Sequence, residues 1–128
     1  MIRRASVEDV ENINDWIYRD SGKKPDFSFF LADRMNVCLI EGEGGALFVW
    51  RGPGIFEVHV FFTQRGQSVL RLSREMLEIM RRDYGAETFW AAVPVEGRHV
   101  IMFTRLMGWK SHGFADLPQG RCELFIGE

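Results

Sequence analysis

Hydrophobic positions recur at helical or strand spacing along most of this 128-residue chain. The clearest pattern lies between residues 57 and 84. Glu57-Val-His-Val-Phe-Phe-Thr reads as a strand, and Gln64-Arg-Gly-Gln-Ser as a tight polar turn. Val69, Leu72, Met76 and Met80 then share one helical face, while Arg71, Arg74, Glu75, Glu78 and Arg82 lie largely on the other. This spacing predicts a long amphipathic helix over 69–84, stopped by Gly85.

The flanking sequence predicts a scaffold around this unit. Residues 2–5 read as a short strand. Ser6 is a good N-cap for a helix over 7–19, whose Val7, Val10, Ile13 and Ile17 share a face. A break rich in turn residues leads to a second short helix over 27–34. Strands over 36–40, 46–50 and 55–62 are separated by Glu41-Gly-Glu-Gly-Gly and Arg51-Gly-Pro-Gly. Two consecutive hairpins of this kind predict an antiparallel meander. An apolar run over 87–93 predicts a buried strand. A helix over 98–107, stopped by Gly108, and two strands over 109–115 and 121–126 complete the chain. The predicted order is β-α-α-β-β-β-α-β-α-β-β, an α/β (mixed α+β) architecture with a mixed central sheet flanked by helices.

Composition narrows this picture. A chain of 128 residues, 46% hydrophobic and 13% aromatic, is expected to form one domain over 1–128 with its own core. No apolar run reaches the ~20 residues of a membrane span, and no secretory h-region follows the N-terminus, so a cytoplasmic protein is expected. A net charge of −2 argues against a general nucleic-acid binder. Cys38 and Cys122 lie in strand-like segments and are expected to be free thiols. Neither they nor His59, His99 and His112 have metal-ligand spacing, so no metal is expected.

The Gly66 turn carries the most chemistry. A helix that opens on a glycine turn after a strand presents backbone N–H groups and a positive dipole end to an anion. Gly66 lets a ligand approach the backbone without a Cβ in the way. The N–H groups of residues 65–69 are placed to cradle a pyrophosphate, with Ser68 as a hydroxyl donor and Arg65 or Arg71 as a phosphate partner. The plain alternative is a turn glycine whose helix end faces water.

Over nearly its whole length the chain resembles the GCN5-related N-acetyltransferases. The opening Ile2-Arg-Arg-Ala-Ser-Val-Glu-Asp-Val is similar to the first strand and helix start of many members. The family's core motif, Gln/Arg-x-x-Gly-x-Gly/Ala, falls on Thr63-Gln-Arg-Gly66-Gln-Ser68, between the required strand and helix. The late signature falls on Gly97-Arg-His-Val100, Thr104 and Gly108-Trp109. The Gly-aromatic pair matches; the Asn, Ala and Tyr positions do not. The abbreviated core also resembles small acetyltransferase-like proteins of phages and prophages.

The resemblance implies acetyl-CoA as cosubstrate, inserted between splayed fourth and fifth strands. Phe61, Phe62, Thr63, Gln64, Arg65, Gly66, Gln67, Ser68 and Val69 are then the cofactor-binding candidates, with residues 60–63 bonding the pantetheine arm through their backbone. A backbone N–H near Phe61 would polarise the thioester carbonyl. Acyl transfer to an amine needs a base, for which Glu57 and His59 are the candidates, two apart on one strand face; Glu41 is a weaker one. Thr104 stands where members often place a tyrosine as the acid, and its hydroxyl has a far higher pKa than a phenol. Trp16, Tyr18, Lys23, Lys24, Phe27 and Phe30 are placed to bind the acceptor, an unidentified amine. The expected protein is an N-acetyltransferase, monomeric or homodimeric. The alternative is a catalytically degenerate member that binds CoA or a protein partner as an accessory.

Overall fold

A computed structural model describes residues 1–63 and 66–128. Seven strands form one mixed sheet: β1 (Arg3–Arg4), β2 (Val37–Glu41), β3 (Gly44–Gly52), β4 (Ile55–Phe62), β5 (Thr88–Pro94), β6 (Lys110–Leu117) and β7 (Gly120–Gly127). Their order across the sheet is β1-β2-β3-β4-β5-β7-β6. Four helices cover it: α1 (Val10–Ser21), α2 (Phe27–Leu31), α3 (Gln67–Tyr84) and α4 (Arg98–Leu106). The element order expected from periodicity is the one observed.

Strand alternation divides the core into two layers. Phe48, Phe56, Phe62 and Phe89 pack with Met76, Leu77 and Met80 of α3 on one face. Cys38, Leu47, Val49 and Phe61 pack with Ile13 of α1 and Phe27 of α2 on the other. Each fully buried side chain of this size contributes roughly 1.5–3 kcal/mol of transfer free energy. Helix α3 earns its place through this stripe, as its apolar spacing indicated. Arg74 donates to the Leu106 carbonyl (3.0 Å), tying α3 to the end of α4. Arg105 reaches buried Glu123 (3.2 Å), tying α4 to β7.

Three local expectations are corrected. Residues 7–9 form a 3-10 turn, and the α-helix begins only at Val10. Asp9 is there a structural anion: Arg3 grips it through two nitrogens (2.6 and 3.0 Å), and the Ser6 N–H donates to it (2.9 Å). These bonds, the Arg3 guanidinium first, hold its pKa down at about 2. The glycine-rich stretch after Glu41 is largely strand, not flexible turn, since β3 begins at Gly44. A Cβ on Gly45 would lie 2.3 Å from the Leu39 carbonyl oxygen, so glycine is required by crowding between neighbouring strands. The second helix ends at Leu31, short of residue 34.

Cys38 and Cys122 are free and buried. They lie on β2 and β7, four strand spacings or roughly 19 Å apart, well beyond disulfide reach. Burial pushes the Cys38 thiol up to about 12. No helix among the described residues is long and apolar enough to cross a membrane.

Candidate active site

The site is made where the two halves of the sheet part. Strand β4 is antiparallel to β3 along its length, whereas β5 is antiparallel to β7 from Phe89 to Pro94. Between them β4 and β5 run parallel, but their register ends at Ile55↔Thr88, Phe56↔Phe89 and Glu57↔Trp90. The Gly54 carbonyl, accepting from the Glu87 and Thr88 N–H groups (2.8 and 2.9 Å), pins the base of the V. Above Trp90 each strand follows the twist of its own half-sheet, and among the described residues no strand is registered to β4 on this side beyond Glu57. A sheet edge of this kind offers unpaired N–H and C=O groups to any extended ligand.

The resulting cleft has a volume of about 520 Å³. Its walls are Val58, Val60 and Phe62 on one side and Ala91, Ala92, Val93 and Pro94 on the other. Leu70, Ser73 and Leu77 of α3 and Val100, Phe103 and Thr104 of α4 form its floor. Trp109, stacked on Phe89 at 6.1 Å, also lines it. The lining is mostly apolar, with Asp20, His59, Gln67 and His99 at its polar points. The Ser73 hydroxyl is buried and has no hydrogen-bond partner among the described residues.

Gly66 and Gln67 sit at the cleft, at the start of α3. Gly66 adopts φ 109° and ψ −163°, a conformation that side chains strongly disfavour, yet a Cβ there would meet nothing within 4 Å. Glycine is required by the backbone alone. The N–H groups of Gln67, Ser68 and Val69 occupy the first helical turn, where no intrahelical acceptor exists.

The remaining candidates divide. Phe62 and Val69 line the cleft; Thr63 and Ser68 line an adjoining cavity of about 450 Å³, together with Arg71 and Glu75. The Thr63 hydroxyl donates to the Glu43 carbonyl (3.3 Å). The Phe61 side chain turns the other way and packs on Phe27, so only its backbone faces the parted strands. Gln64 and Arg65 lie outside the described residues. Thr104 is buried, and its hydroxyl donates to the Val100 carbonyl one turn back (2.7 Å), so its proton is already engaged. Of the acceptor candidates, Phe27 is core at 2% exposure and Trp16 and Phe30 pack against the same cluster. Lys24 stands 5.3 Å over the Tyr18 ring, at the surface.

Glu57 and His59 share a face of β4, as their spacing indicated, and they are hydrogen-bonded to each other. His59 reaches the cleft, whereas Glu57 does not line it. Arg51, expected only as a turn residue, donates from Nε (2.9 Å) and Nη2 (2.6 Å) to Oε1 of Glu57. The His59 bond first, and the Arg51 bonds next, hold the Glu57 carboxyl below the usual carboxylate range. The signal for Arg51 was present in the hairpin: it lies two residues past Val49, which registers with Glu57.

No protein-family model and no curated protein matches this sequence. Solved structures do match it in shape. Aminoglycoside acetyltransferase AAC(6')-Ib in complex with coenzyme A superposes with a TM-score of 0.75 over 99% of this chain and 93% of that one, at 14% identity. A mutant of spermidine N-acetyltransferase SpeG from Vibrio cholerae gives 0.79 over 99% and 92%, at 9% identity. Ribosomal-protein-S5-alanine acetyltransferase from Vibrio fischeri gives 0.78 over 98% and 91%, at 11% identity. The fold is that of the GCN5-related N-acetyltransferases. Gly66 and His59 both line the cleft between the parted strands.

Proposed function

We propose that residues 1–128 form one acetyl-CoA-dependent N-acetyltransferase domain acting on an amine. The carrying observation is the 520 Å³ cleft between β4 and β5, with the Gly66 end of α3 at its margin. The residues present suit the cosubstrate: a strand edge that parts from its neighbour for an amide-bearing arm, an apolar lining for its methylenes, and first-turn N–H groups for a pyrophosphate. Acetyl-CoA, when bound, supplies an acetyl group on a thioester.

The chain's own residues would do the rest. Backbone groups of residues 60–63 hold the arm in an extended conformation. An N–H near Phe61 is available to the thioester carbonyl oxygen. Gln67, Ser68 and Val69 bind the pyrophosphate, with the neighbouring Gln64 and Arg65 as further candidates from the motif. Glu57 and His59 handle the proton of the acceptor. The relatives in shape, crystallised with coenzyme A and with kanamycin, support a CoA thioester and an amine as the two substrates.

A second reading, a CoA-binding accessory without turnover, draws on the engaged Thr104 hydroxyl. Calorimetry with CoA, followed by an acetylation screen on spermidine, kanamycin and an N-terminal alanine peptide, separates the two. Binding with turnover supports the enzyme; binding without turnover on any amine supports the accessory. No CoA binding to the folded protein removes both.

A further inference from the structure

We infer that His59 Nδ1 is the proton acceptor of the transfer, and that Glu57 and Arg51 are positioning residues that set its tautomer. This deepens the acetyltransferase reading and rests on it.

Arg51 places two donors on Oε1 of Glu57, at 2.9 and 2.6 Å. An ionised carboxylate only accepts, and Arg51 leaves Oε2 for His59. The His59 nitrogen facing it, Nε2, must therefore carry the hydrogen. In a neutral imidazole the lone pair is then on Nδ1. Glu57 is itself a poor base, because its side chain is only 13% exposed and both oxygens are engaged. His59 is 52% exposed and reaches the cleft. Two charged residues thus fix which nitrogen of the His59 ring carries hydrogen, at the point where the strands part.

The proton balance is simple. The acceptor ammonium gives one proton to Nδ1, freeing the nitrogen lone pair. That pair forms the N–C bond to the acetyl carbonyl as the C–S bond breaks, and the thiolate leaves with the electron pair. The nitrogen's second proton, lost as the amide forms, ends on the thiolate through water. His59 returns its own proton to solvent.

Arg51 makes this arrangement testable in an unusual way. In Glu57→Gln, Arg51 holds the amide oxygen, so the NH₂ group faces His59. Nε2 must then accept, and the hydrogen is forced onto Nδ1. The Nδ1 lone pair is lost although shape and volume are kept. Removing Arg51 in the same chain, as Arg51→Met with Glu57→Gln, frees the amide to turn over and restore the first tautomer.

The experiment is ¹⁵N NMR of the His59 ring at neutral pH, alongside acetylation of spermidine, kanamycin and an N-terminal alanine peptide. Wild type is expected in the Nε2–H form, Glu57→Gln in the Nδ1–H form, and the double variant back toward Nε2–H. His59→Ala and Glu57→Gln should lower kcat by about 100-fold or more, the scale of a lost or mis-set base. CoA affinity should stay within about threefold, and the double variant should recover part of the loss. A wild-type Nδ1–H tautomer, an unchanged tautomer in Glu57→Gln, or full activity in His59→Ala overturns the assignment. A protein with the expected tautomers that acetylates none of the amines overturns the base role and the transferase reading together. Active protein with the wrong tautomer overturns only the assignment.

Discussion

The sharpest test of the anion site is a charge change at Gly66 that leaves side-chain size alone. Gly66→Asn and Gly66→Asp differ by one charge and almost nothing in shape. Both must meet φ 109° and ψ −163°, and neither meets a neighbour, since nothing lies within 4 Å of a Cβ there. Holding a side-chain-bearing residue in that conformation costs about 1–3 kcal/mol, the same for both variants to a first approximation. That cost appears as a fall in Tm of about 3–5 °C per kcal/mol, or as weaker binding if the free loop relaxes.

The difference between the variants isolates electrostatics. A carboxylate on residue 66 would stand roughly 6 Å from an anion held by the N–H groups of residues 67–69. Coulomb's law gives about 0.7 kcal/mol per anion charge at the dielectric of water and about 3 kcal/mol at an effective value near 20. Asp should therefore bind CoA about 3- to 100-fold more weakly than Asn. Isothermal calorimetry at low ionic strength measures this directly, and repetition at 0.5 M salt should shrink the gap. Dephosphorylated pantetheine, lacking the pyrophosphate, should show no gap. Equal CoA affinity for Asp and Asn at low salt refutes an anion at this helix start.

Two further outcomes follow from the same geometry. Asp9, held down at about 2 against an ordinary 3.8, contributes stability that is complete above pH 4 and drains away as pH falls toward 2. Asp9→Asn should cost about 1–2 kcal/mol at pH 7 by denaturant titration and flatten the acid limb; an unchanged limb contradicts the Arg3 pairing. Thr104→Val removes a hydroxyl whose proton is donated to Val100, so acetyl transfer should change less than about threefold. A loss above tenfold in kcat would instead make Thr104 part of the chemistry.

Local sequence determined the elements of this protein. The helical stripe of Val69, Met76 and Met80 needs a buried face, and the glycine turns after Glu41 and Arg51 bring consecutive strands back on one another. These are constraints among residues a few positions apart, so periodicity carries them. The pairing of Glu57 with His59 on one strand face was legible for the same reason. Gly44 and Gly45 were misread because what they avoid, the Phe62 side chain and the Leu39 carbonyl oxygen, belongs to neighbouring strands.

The site itself was decided at longer range. Nothing within 88–94 indicates that β5 leaves β4 after Trp90; that follows from β7 holding β5 while β3 holds β4. The cleft exists because two twisted half-sheets share only a short common base. The Phe61 side chain belongs to the core, since Phe27 packs against it from α2, which leaves only its backbone to the parted strands. Arg51 looked like a turn residue and proves to be the group that fixes Glu57. Local spacing decides which side chains share a face, and only the packed sheet decides which of those faces opens onto a cavity.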